Sequence, residues 1–233
     1  MQRKILENFA RKKETLKTIS IVTIFAIAMA FLESVFVYYI RMIRYPKGFN
    51  FYSINSLSSE ILNIEMFREL STLIILFIVA ILVAKGFYKR FAYFLYAFAI
   101  WDIFYYVFLK LIINWPESLL TWDLLFLIPV PWVAPVIAPV LVSLAFIGGG
   151  FLVLRMSARG IMWRCNRWCV IGFLLATIII FWSFCLDWRH IAGGGLPRSF
   201  PWGIFCAGEL LLIGVFIFVY RVSLSRALHE PNH

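Results

Sequence analysis

The sequence is poor in charge. Only 15% of its 233 residues are Asp, Glu, Lys or Arg, and just 12 are acidic. Soluble domains are about a quarter charged and about half apolar, whereas this chain is 63% hydrophobic with a mean hydropathy of +0.88. A soluble globular fold is excluded, and the composition is that of an integral membrane protein. Histidine is scarcer still: His190, His229 and His233 all lie outside the apolar runs. Bis-histidine haem ligation and histidine-rich di-iron chemistry therefore have no ligands within a span. A carboxylate-only site for a hard divalent cation stays open, but no metal site and no cofactor is otherwise indicated. Four cysteines give no metal-binding spacing. Cys165 and Cys169 read as structural, and Cys185 and Cys206 flank an external loop where a disulfide would form only on an oxidising face. Walker loops, dinucleotide fingerprints and the HExxH and GxSxG motifs are all missing. "GGGLP" at 193–197 is a turn, with no helix start bearing lysine and Ser or Thr directly after it.

What the chain has instead is long apolar runs. A helix needs roughly 20 residues to cross about 30 Å of hydrocarbon, and six stretches qualify: 18–40, 67–84, 91–113, 133–154, 168–187 and 203–220. The expected fold is all-α, a polytopic membrane helix bundle with six transmembrane helices. Residues 1–17 form a basic amphipathic segment before it, 18–220 the transmembrane domain and 221–233 a tail. The first run is too long, and its basic prefix too extended, for a cleavable signal peptide. The net charge of +10 comes from short clusters between apolar runs, the pattern that encodes topology rather than binding to nucleic acid. With the amino terminus cytoplasmic, 15 Lys and Arg fall on that side and 7 on the other. Both termini are then expected in the cytoplasm.

Two stretches interrupt a simple up-and-down bundle. Residues 44–66 read as an external loop in which Ser58 or Ser59 caps the second span. The segment "WPESLLTWDLLFLIPVPW" at 115–132 is too polar at its start and too proline-broken at its end to cross. An outer-face helix that returns the chain to the membrane is expected there, interfacial or re-entrant over about 117–132. Pro135 and Pro139 then predict a kinked outer half of the fourth span, and Gly148–Gly150 predict close helix packing.

Acids within the runs are the candidate site, because a carboxylate in hydrocarbon is costly unless paired, protonated or functional. At about 1.5 Å per residue, Glu33 and Glu69 each lie 16 residues from a basic anchor on their own helix, Lys17 and Lys85. Asp102 and Glu209 lie 12 residues from Arg90 and Arg221. All four fall in one slab about 6 Å thick, with Arg68 the basic residue near it. One arginine does not neutralise four carboxylates, so protons, a metal or a cationic ligand share the task. Trp101, Tyr105 and Tyr106 beside Asp102 supply hydroxyl donors and aromatic faces suited to a cation, a proton relay or a flat apolar ligand. Trp122, Asp123 and His190 are placed at an outer entrance.

Three functions fit this pattern. A carrier or pore would handle a small cation or a proton-linked ligand. An intramembrane enzyme would use a protonated carboxyl as general acid on a lipid or polyene. An anchoring subunit would use the acids to fix helix partners, in a larger complex or a homo-oligomer. The bilayer is the common partner, with a small cation or an apolar ligand at the site and no nucleic acid.

Overall fold

The computed structural model describes residues 2–44 and 59–229. Its elements are α1 (Gln2–Arg44), α2 (Ser59–Val83), α3 (Phe87–Ile113), β1 (Trp122–Phe126), β2 (Trp132–Pro135), α4 (Ile137–Ala158), α5 (Arg167–Cys185), α6 (Trp188–Ala192) and α7 (Trp202–His229). Among the described residues six helices are long and apolar enough to cross a membrane. The chain is a multi-pass integral membrane protein.

Residues 2–44 contain neither glycine nor proline, and α1 accordingly runs as one helix from the basic segment into the first apolar run. Its 43 residues span about 65 Å, twice the hydrocarbon thickness, so the basic first turns project beyond the bilayer. Helix α2 starts earlier than residue 67. Of the external loop expected at 44–66, residues 60–66 belong to α2, and residues 45–58, with Ser58, and the Ser59 side chain lie outside the described residues. A three-residue turn with Gly86 at φ 84° separates α2 from α3. Asn114, at φ 53°, closes α3 in the left-handed conformation that Asn tolerates, and its N–H bonds back to Leu109. At the start of α5 the Asn166 side chain accepts from the Cys169 N–H at 3.0 Å, a helix cap.

The segment after α3 is a hairpin, not a helix. β1 pairs antiparallel with β2, Trp122 opposite Pro135 and Phe126 opposite Trp132, with an irregularity between Leu124 and Phe126. Pro129 and Pro131 supply no N–H and would obstruct a helix at its preceding turn, so they fall in the connection between the strands. A five-residue strand reaches about 17 Å and does not cross the bilayer. The prolines of the fourth span are also harmless. Pro135 ends β2, and Pro139 is the third residue of α4, in the first turn where the amide has no intrahelical acceptor. No interior kink follows from either.

Large apolar side chains such as Phe67, Leu82 and Leu210 face outward, and the interior combines small residues with fully buried Phe205, Leu76 and Leu109. Val22, Ala26 and Ala30 form a fully buried stripe on α1, and α1 packs on α3. The Thr23–Tyr96 hydroxyl pair at 2.9 Å ties these helices, as does the bond from Ser34 Oγ to the Tyr105 carbonyl at 3.1 Å. A Cβ on Gly149 would collide with the Phe216 ring of α7, and one on Gly150 would meet the Ala92 carbonyl of α3 at 3.0 Å. Close packing of α4 through these glycines is therefore realised, whereas Gly148 faces open space. The four cysteines are free; Cys185 is buried and Cys206 exposed, and they are not bridged.

Candidate functional site

Between α2 on one side, α5 on the other, and α3 and α4 behind, the fold encloses a cavity of about 690 Å³. The hairpin covers one end. Helix α2 packs mainly on α3 and α5 mainly on α7, so the two flanking walls have no extensive packing on each other.

The hairpin end of the cavity is polar. Glu33 and Arg41 reach it from α1, Glu65, Arg68, Glu69 and Thr72 from α2, Asp102, Tyr105 and Tyr106 from α3, and Asp123 from β1. Arg68 is the hub: its Nη1 donates to Glu33 Oε1 and its Nε to Glu65 Oε2, the latter at 2.8 Å. Thr72 Oγ1 donates to the second oxygen of Glu33 at 3.2 Å. Glu69 Oε2 accepts from the Leu127 N–H at 2.9 Å, which docks the hairpin on α2. Ser143 of α4 donates to Asp102 Oδ2 at 2.8 Å. Tyr106 Oη donates to Asp123 Oδ2 at 3.1 Å, a second tie between hairpin and bundle. Burial pushes the Asp123 carboxyl up to about 6, against the charge of Arg41 and the Tyr106 hydrogen bond, which pull it down. Arg41 also lies over the Trp115 ring, 4.1 Å from its centroid.

The far end is apolar. Phe91, Phe94 and Phe98 from α3, Phe146 from α4, Phe173 from α5 and Phe216 from α7 line it. Rings bridge the two ends: Trp101 lies 6.4 Å from Tyr105, 5.5 Å from Phe98 and 6.3 Å from Phe126, which in turn lies 5.3 Å from Trp132. Phe91, 42% exposed, and Ile178, 57% exposed, are among the most exposed residues of the cavity lining.

Glu33, Arg68, Glu69, Trp101, Asp102, Tyr105 and Tyr106 thus share one cavity wall. Glu209 does not: it is buried on α7 with Oε2 unpartnered, while Leu212 and Phe216 further along that helix line the cavity. Depth along a helix fixes height and leaves open which neighbour a side chain meets. Of the three residues assigned to an outer entrance, Asp123 lies inside the cavity, only 4% exposed. Trp122 lines a second cavity of about 210 Å³ with Asp187 and Arg198. His190 on α6 stands 3.4 Å from Arg198, away from the larger cavity's lining.

Sequence reasoning missed Glu65, Thr72, Ser143 and the hairpin amide of Leu127. Glu65 and Thr72 carry a signal, since they stand three residues before and four after Arg68 on one helix face. Ser143 is a hydroxyl within the apolar run "PVLVSLAF". The Leu127 amide has no sequence signal, because it depends on the hairpin. Among the described residues no group of three or more His, Cys, Asp or Glu side chains is arranged to hold a metal ion. No protein-family model, no curated protein and no solved structure matches the chain.

Proposed function

We propose that the protein takes an amphiphilic, lipid-like molecule from the bilayer into the cavity between α2 and α5. The polar end lies at Glu69, Asp102 and their neighbours and the chain runs along the phenylalanines. The observation that carries this reading is the division of one cavity into a carboxylate and arginine end and an aromatic end. Its volume of about 690 Å³ is in the range of cavities that enclose small ligands. The lack of extensive packing between α2 and α5 supports access from the membrane rather than from water. The 15 to 7 division of Lys and Arg supports a hairpin on the outer face and both chain ends in the cytoplasm.

Extraction of the protein with its surrounding membrane into polymer discs, followed by mass spectrometry of the co-purified lipid, tests this. One amphiphile class enriched to near one per chain, and reduced by Asp102→Asn, is expected. Lipid in the proportions of the surrounding membrane would refute the reading.

A second reading, carriage of a small cation or a proton-linked ligand, is favoured by the excess of carboxyl groups over guanidinium groups at the polar end. Vesicles containing the protein would then show a cation or proton flux that Asp102→Asn abolishes.

A further inference from the structure

The hydrogen bonds at the polar end are unevenly shared. Arg68 Nε and Nη1 are taken by Glu65 and Glu33, the Thr72 hydroxyl by Glu33, the Ser143 hydroxyl by Asp102, the Tyr106 hydroxyl by Asp123 and the Leu127 amide by Glu69. Glu33 and Asp123 are engaged by these partners and by the charges of Arg68 and Arg41. Glu69 and Asp102 are each 8% exposed and line the cavity; each receives one hydrogen bond, from an uncharged donor on one oxygen, and the charge of Arg68 also acts on Glu69. Among the described residues no donor is bonded to their second oxygens, Glu69 Oε1 and Asp102 Oδ1. By charge, this end carries five carboxyl groups, Glu33, Glu65, Glu69, Asp102 and Asp123, against the two guanidinium groups of Arg41 and Arg68. Carboxylate oxygens that face a cavity among apolar helices without a protein donor are costly unless water, a proton or a cation meets them. Beside them stand the rings of Trp101 and Tyr105, whose faces attract cations.

From this we infer that the head of the amphiphile is a protonated amine, donating to Asp102 Oδ1 and Glu69 Oε1 with the rings of Trp101 and Tyr105 against it. The inference rests on the amphiphile reading above and adds the chemistry of the head. A phosphate or carboxylate head would meet acceptors only at these two oxygens, and an alcohol would bring one donor and no charge.

Three probes with one chain length separate these cases: dodecylamine, dodecanol and dodecyl phosphate, added at pH 7.5 to the protein in discs of zwitterionic lipid. Binding, corrected for partition into the discs, is followed by tryptophan fluorescence, to which Trp101 and Trp132 on the cavity wall contribute. Dodecylamine is expected to bind at least tenfold more tightly than dodecanol, and dodecyl phosphate most weakly. Asp102→Asn and Glu69→Gln should each weaken dodecylamine about tenfold and leave dodecanol within twofold. If one variant is not recovered folded, the other makes the same comparison. Equal affinity for dodecylamine and dodecanol, or tightest binding of dodecyl phosphate, overturns the assignment of the head and leaves the amphiphile reading standing. No saturable binding of any of the three overturns both.

Discussion

Arg68 answers two carboxylates at once, and its side chain is 20% exposed while that of Glu33 is 10% exposed. Removing one partner of a largely buried ion pair leaves an uncompensated charge, at a cost of roughly 3–5 kcal/mol. Arg68→Ala is therefore expected to destabilise the protein by about 3 kcal/mol or more, measured by denaturant unfolding in detergent. Adding Glu33→Gln, which removes the stranded charge, should return a substantial part of that loss. A silent Arg68→Ala would mean that the three side chains are solvated and that the hub is not a structural feature.

Asp123 gives a pH signature. Its carboxyl is raised from an ordinary value of 3.8 to about 6 because β1 buries it against α3. The folded state then holds the proton more tightly than the unfolded state between pH 4 and 6, so stability from this group is highest below that window and falls as pH rises through it. Two pH units of displacement correspond to about 3 kcal/mol. The unfolding free energy of the wild type minus that of Asp123→Asn should fall across pH 4–6 and level off above it. A flat difference, or one that rises with pH, contradicts the burial argument. At this scale the sequence was informative about type and height: Glu33, Glu69 and Asp102 were placed by helical rise and do line one cavity. It was silent on neighbours, so Glu209, which is not in that cavity's lining, was grouped with them and Ser143 was overlooked.

Helix α4 approaches two neighbours through glycine. Gly149→Ala must displace the Phe216 ring, and such overpacking typically costs 1–3 kcal/mol. The same substitution at Gly148 meets nothing within 4 Å and should be neutral or slightly stabilising, since alanine is the better helix former. Pairing Gly149→Ala with Phe216→Leu should relieve the clash, and thermal unfolding of the three variants checks the order. This packing was legible as a run of small residues within an apolar span, although the sequence did not say which two of the three glycines carry it. The hairpin was legible only as a refusal to be a spanning helix. Its strand pairing depends on where Pro129 and Pro131 fall relative to the return of the chain, a tertiary matter, so an outer-face helix was the natural but mistaken expectation. Likewise Pro139 looked like a kink until the helix start at Ile137 placed it in the first turn.

For the molecule as a whole, six spans follow from length and apolarity alone, because the bilayer sets an element length that hydropathy reads directly. The cavity does not, since it arises from which helices leave a gap, and nothing in the apolar runs of α2 and α5 says that they stand apart. On the proposed entry between α2 and α5, access is governed by the side chains that line that gap. Ile178→Trp should slow uptake of an amphiphile severalfold while leaving equilibrium binding within about twofold, as expected for a residue at a gate rather than at the head site; stopped-flow mixing with dodecylamine reads it. A loss of affinity with unchanged rate would place Ile178 in the site itself.

The proposed function depends on what occupies the cavity between α2 and α5. A cryo-electron microscopy structure of the protein in discs carrying its native membrane measures this most directly. The expected result is one elongated density with its head beside Asp102 and Glu69 and its chain against Phe94, Phe98 and Phe216, reaching the bilayer between α2 and α5. A cavity closed by direct packing of α2 on α5, or a continuous file of water from one face to the other in place of that density, would contradict it.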